Sequence, residues 1–149
     1  MKQRFLAAGT HVLFGLYLFI LLRLTVFRAG AFSHVVFSGR FNLTPGVAYM
    51  QLLSWGSTFH AAYLFFGNIV WFVPLGMYAR RQGLRFISSV LCGAGLSLFI
   101  ECMQFILGCG VTETDDLLLN TLGAVAGAAL WDILKRLSAR RKSRRKKGG

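Results

Sequence analysis

Apolar residues dominate four stretches of this chain, and the polar residues inside them are isolated rather than alternating. The stretches are FLAAGTHVLFGLYLFILL (5–22), AAYLFFGNIVWFVPLGMYA (61–79), FISSVLCGAGLSLFIECMQFIL (86–107) and LLLNTLGAVAGAALWDIL (117–134). A helix rises about 1.5 Å per residue, so about 20 mainly apolar residues cross a bilayer core. All four stretches qualify, two of them narrowly. Backbone in lipid must satisfy its own hydrogen bonds, and no run shows the two-residue period of a membrane strand, which favours helices over a barrel. Between the first two runs, Thr44-Pro45-Gly46 reads as a turn and 47–58 as a short interfacial or re-entrant helix. The predicted fold is therefore all-α: a polytopic membrane protein of four transmembrane helices, with that short helix between the first and second.

Composition agrees, and charge adds direction. Of 149 residues, 55% are hydrophobic, and seventeen Lys and Arg stand against five acids, a formal net charge of +12. So large an apolar excess is unusual for a soluble domain. The positive charge raises nucleic acid and anionic lipid as partners, and its placement favours lipid. KRLSARRKSRRKK follows the last apolar run directly and contains no aromatic residue to stack on a base. Lys2 and Arg4 precede the first run, Arg80, Arg81 and Arg85 fill the turn between the second and third, and the rest of this group lies from Lys135 onward. All of these fall on one side if both termini are cytoplasmic, and only Arg23, Arg28 and Arg40 fall on the other. Ala29-Gly30-Ala31 mimics a signal-peptide cleavage site, but the apolar run is long and Arg23 and Arg28 separate it from that site, so a retained anchor is expected. Residues 1–137 then form one transmembrane domain, followed by a basic cytoplasmic tail, 138–149, expected to be disordered. Cys92, Cys102 and Cys109 form no CxxC pair and suggest no disulfide framework.

The costly residues lie at similar depth. Counted from the outer ends of their helices, Asn68 is about 10 Å down, Glu101 about 9 Å, Asn120 about 6 Å and Gln104 about 5 Å. They also share faces. Ser89, Gly93, Ser97 and Glu101 recur every four residues, with Gln104 near the same side, and Asp116, Asn120, Gly123 and Gly127 form a second stripe. Gly123-x-x-x-Gly127 permits close approach of a neighbouring helix. If the two stripes face each other, Glu101 and Gln104 look across at Asp116 and Asn120, with Asn68 as a third wall. Carboxylates in lipid are costly and mark function by default, and Arg23, Arg28 and Arg40 are the cations available to Glu101.

Plainer readings stand beside these. Asp115 and Asp116 suit the positive end of the fourth helix, with Thr114 as its cap. Asn68 and Asn120 suit interhelical hydrogen bonds. Asp132 suits a pair with Lys135 or Arg136, and Pro74 with Gly76 suits a kink. No P-loop, GxGxxG, GxSxG or HExxH occurs. Carboxylates without nearby His make a weak metal site, and no metal or cofactor is expected.

The order FNLTPG, GNIVWFVPLGMYARR, IECMQ and DDLLLNTLGAVAG resembles the VanZ-like family of small bacterial membrane proteins. The shared positions are Asn68, Pro74, Gly76, Glu101, Gln104, Asp116, Asn120, Gly123 and Gly127. The family often carries an arginine where this chain has Gly110, so Arg23 or Arg40 must balance Glu101, or Glu101 is protonated. The founding member is associated with low-level teicoplanin resistance, so the resemblance implies a place in the bacterial cell membrane and a cell-envelope role. Two functions follow. One is binding of membrane lipids or a lipid-linked envelope precursor in an outer-leaflet pocket built from Asn68, Glu101, Gln104, Asp116, Asn120, Arg23 and Arg40. The other is an intramembrane enzyme with Glu101 as general acid or base and Asp116 orienting it. A small transporter or assembly partner is a third, which would require a homo-oligomer. Anionic lipid is the partner expected at the basic tail, and nucleic acid is not.

Overall fold

Because each apolar run must satisfy its backbone internally, helix accounts for nearly all the regular structure. A computed structural model describes residues 2–27, 40–54, 56, 58–108 and 111–147. Arg28, His34 and Gly110 lie outside these, as does the side chain of Arg40. The order is α1 (Lys2–Thr25), β1 (Arg40–Asn42), α2 (Val47–Ser54), α3 (Thr58–Arg81), α4 (Phe86–Leu107), β2 (Val111–Glu113) and α5 (Thr114–Lys147). Helices α1, α3, α4 and α5 are each long and apolar enough to cross a membrane. The architecture is thus all-α with four candidate spans, and α2 occupies the first part of 47–58. An addition is the parallel pairing of β1 with β2, with Arg40 opposite Val111 and Asn42 opposite Glu113. Val12 and Phe19 on α1, Phe59 and Phe66 on α3, and Ile87 on α4 are exposed. In water such a surface would drive association. On a spanning helix it is the face that meets lipid.

The chain forms two compact units. The first joins Met1–Pro45 to Leu98–Thr114 and holds α1, the β1–β2 pair and the second half of α4. Leu21, Val26 and Ile100 are buried in it. Gly108, at φ 59°, ends α4 in the left-handed conformation that glycine adopts without steric penalty.

The second unit joins Gly46–Ser97 to Asp115–Gly149. Here α3 and α5 meet backbone to backbone. A Cβ added to Gly123 would lie 2.2 Å from the Ile69 carbonyl oxygen, and one on Gly127 2.0 Å from that of Val73. From the other side, a Cβ on Gly76 would lie 2.1 Å from the Ala124 oxygen. Helices in lipid gain no hydrophobic drive from pairing, so close van der Waals approach between small residues holds them. The first half of α4 joins at Gly93, where an added Cβ would lie 2.3 Å from the Ala124 Cβ. Further along, Arg80 of α3 grips Asp132 of α5, with Nη2 donating to both carboxylate oxygens at 2.7 and 2.9 Å and Nε to one at 3.1 Å. This corrects the expected pairing of Asp132 with Lys135 or Arg136. The planar guanidinium fork of Arg80 arrives from another helix and matches both carboxylate oxygens, which the flexible ammonium of Lys135 does not. α5 continues unbroken to Lys147. Lys, Arg and Ala favour helix, so the apolar residues stop near 137 while the backbone does not.

Candidate functional site

Among the described residues of the first unit, the buried polar ones are Glu101 and Gln104. Glu101 faces inward because it continues the stripe of Ser89 and Ser97, both also fully buried. Its Oε2 accepts the Glu113 backbone N–H at 3.0 Å, and its carbonyl accepts the Thr112 hydroxyl at 3.2 Å. One residue thus fastens the strand that follows α4 back onto that helix. Gln104 Nε2 donates to the Thr25 carbonyl at 3.3 Å and so satisfies an orphan acceptor at the end of α1. Arg23 does not balance Glu101. Its side chain is exposed, and its Nη1 donates to the Phe27 carbonyl four residues on.

In the second unit Asn68 of α3 and Asp116 of α5 meet, with Asn68 Nδ2 donating to Asp116 Oδ1 at 2.5 Å. One turn along α5, Asn120 Nδ2 donates to Ser97 Oγ of α4 at 2.9 Å. The stripes of α4 and α5 therefore meet at this level through Ser97 and Asn120. Asn120 is buried, and its Oδ1 has no hydrogen-bond partner among the described residues. A buried carbonyl left unpaired costs about 1–3 kcal/mol, so this amide is held in place at a cost to stability.

An acid that suits the positive end of its helix supplies the other notable group. Asp115, in the first turn of α5, is buried, and both its carboxylate oxygens lie 2.9 Å from the Gly46 N–H. Gly46, at φ 81°, immediately precedes α2, and its carbonyl accepts the Met50 N–H. Asp115 therefore holds the start of α2 from another helix. It also lines a cavity of about 520 Å³ shared by α2, α3 and α5. Met50 and Leu53 come from α2, Phe65 and Phe66 from α3, and Leu118 and Leu119 from α5. Thr58 and Asp115 are the side chains with polar atoms among the described lining residues. Both helices begin here, α3 at Thr58 and α5 at Thr114, so the cavity lies at the ends of two candidate spans. The signal in the sequence was an acid heading an apolar face, with Leu118 and Leu119 three and four residues on.

No group of three or more His, Cys, Asp or Glu is placed to hold a metal among the described residues. The VanZ/LLP1 family model matches residues 14–135, which takes in the second and third candidate spans, most of the first and fourth, and both sets of polar residues. No curated protein and no solved structure matches the chain.

Proposed function

The chain belongs to the VanZ/LLP1 family, and from that premise we propose that it is an envelope protein of the bacterial cell membrane that binds a lipid-linked or amphiphilic molecule at the outer ends of its spans. The observation that carries the reading is the cavity between α2, α3 and α5. Its volume lies within the usual range for ligand sites of about 300–1,000 Å³, and its wall is apolar except at Asp115 and Thr58. An acyl chain is the occupant a bilayer offers such a wall, and the first turn of α5 is where a head group would stop. Asp116, Asn68 and Asn120 supply further polar atoms at that end of α5. Both termini are cytoplasmic in this reading, because the basic residues at 80–85 and from Lys135 onward then share the inner face. The basic end of α5 would rest against anionic lipid there. Glycopeptide tolerance of the teicoplanin type would follow from a change in what the antibiotic meets at the outer surface. Two hydrogen bonds of Glu101 serve the connection after α4.

Native mass spectrometry of the detergent-extracted protein tests the reading. The wild type should carry a co-purifying lipid mass, and Ala62→Trp, which fills the cavity, should lose it while keeping its helical content. Identical lipid occupancy in the two would contradict the proposal.

A further inference from the structure

We propose that the cavity selects amphiphiles whose head group is a primary ammonium, bound by the Asp115 carboxylate. The inference rests on the amphiphile reading above and adds the chemistry of the ligand. Asp115 is 8% exposed and faces a wall of Met50, Leu53, Phe66 and Leu118. A carboxylate removed from water needs a compensating cation or several donors. Among the described residues no cation pairs with it; the ion pair found there is Arg80 with Asp132. Its donor is one backbone N–H, that of Gly46, shared by both oxygens. An ionised carboxylate has about four acceptor positions, so most of its capacity is left for the cavity side. The positive end of α5 offsets part of the charge, since Asp115 lies in its first turn, but supplies no further hydrogen.

An occupant that completes this site brings positive charge and N–H donors on a small head, with an apolar chain behind it. A primary ammonium has both. A quaternary ammonium has the charge without the donors, an alcohol has a donor without the charge, and a sulfate or phosphate meets the carboxylate with like charge. The assignment therefore separates this site from one that would hold the anionic head of a phospholipid.

The test uses the full chain in nonionic detergent and four probes of one chain length: dodecylamine, dodecyltrimethylammonium, dodecanol and dodecyl sulfate. Charge-assisted hydrogen bonds are the strong ones, so wild-type protein should bind dodecylamine at least about tenfold more tightly than the other three. Asp115→Asn keeps an oxygen for the Gly46 N–H, so the start of α2 stays in place. It should bind the uncharged dodecanol as the wild type does and lose the preference for dodecylamine. Asp132→Asn should keep that preference. Equal binding of the four probes by the wild type, or a preference that survives Asp115→Asn or is abolished by Asp132→Asn, would overturn the ammonium assignment and leave the cavity reading standing. Binding of none of the probes, or binding unaffected by Ala62→Trp, would overturn both.

Discussion

Replacing Gly127 by alanine adds one methyl group at the tightest point of the α3–α5 seam. The new Cβ would lie 2.0 Å from the Val73 carbonyl oxygen, whereas real Cβ contacts essentially never fall below 3.0 Å. The obstacle is backbone, so no rotamer change relieves it, and the helices must separate by about 1 Å or more. A gap of that size forfeits about a quarter to a half of each dispersion contact along the seam, and overpacking of this kind typically costs about 1–3 kcal/mol. Against this stands a gain of about 1 kcal/mol from the helix propensity of Ala over Gly. The net expectation is a loss of about 0–2 kcal/mol, which is about 1–3 kcal/mol below a glycine-to-alanine change that meets no obstacle, and a larger loss for Gly127→Leu. Gly95→Ala is the matched control, because an added Cβ there meets nothing within 4 Å and only the propensity gain remains. Equilibrium unfolding in mixed dodecyl maltoside and sodium dodecyl sulfate micelles, followed by tryptophan fluorescence, gives both values. The reasoning is refuted if Gly127→Ala is as stable as Gly95→Ala.

Other consequences are open to the same kinds of measurement. Asn120→Leu combined with Ser97→Ala removes both partners of a buried hydrogen bond together with the unpaired Oδ1, so the double variant should be at least as stable as wild type, whereas Ser97→Ala alone should lose about 1 kcal/mol in the same assay. Asp115→Ala leaves the Gly46 N–H without its acceptor and should raise amide exchange at the start of α2, with protection in the middle of α3 unchanged. With Cys92, Cys102 and Cys109 replaced by serine, Gln82→Cys, in the turn after α3, should react with a membrane-impermeant maleimide only in inverted vesicles, and Thr112→Cys only in intact cells; the opposite pattern would reverse the proposed orientation. In a teicoplanin-sensitive Gram-positive host, expression should raise the inhibitory concentration of teicoplanin, and Ala62→Trp, expressed at the same level, should remove the increase.

Much of the fold was legible because lipid makes hydropathy nearly sufficient. The third span agrees with its apolar run at both ends, Phe86 to Leu107. The second was expected over 61–79 and runs from Thr58 to Arg81, since polar residues at a helix end still form hydrogen-bonded turns. The glycines of α5 announced close packing, although the sequence could not say that α3 would fill the gap. Side-chain partners were less readable. Asp132 has basic neighbours on its own helix, yet the fork of Arg80 reaches it from 52 residues away. Asn68 and Asp116 fall on facing walls by the stripe pattern alone, and their bond depends on the rotation of two helices. β1 and β2 are three residues each, too short for any period to register. For Asp115, a helix N-terminus is by itself a sufficient reason for an acid, so the sequence points to no further role. Only the placement of Gly46 and the cavity gives it a second task.

Photo-crosslinking tests the central claim most directly, using an alkyl-diazirine amphiphile with a primary amine head in membranes containing the wild-type protein. Peptide mapping should find adducts concentrated on Met50, Leu53, Phe66, Leu118 and Leu119, and Ala62→Trp should abolish them. Adducts spread equally over the exposed lipid-facing residues Val12, Leu13 and Phe19 of α1 would contradict the account.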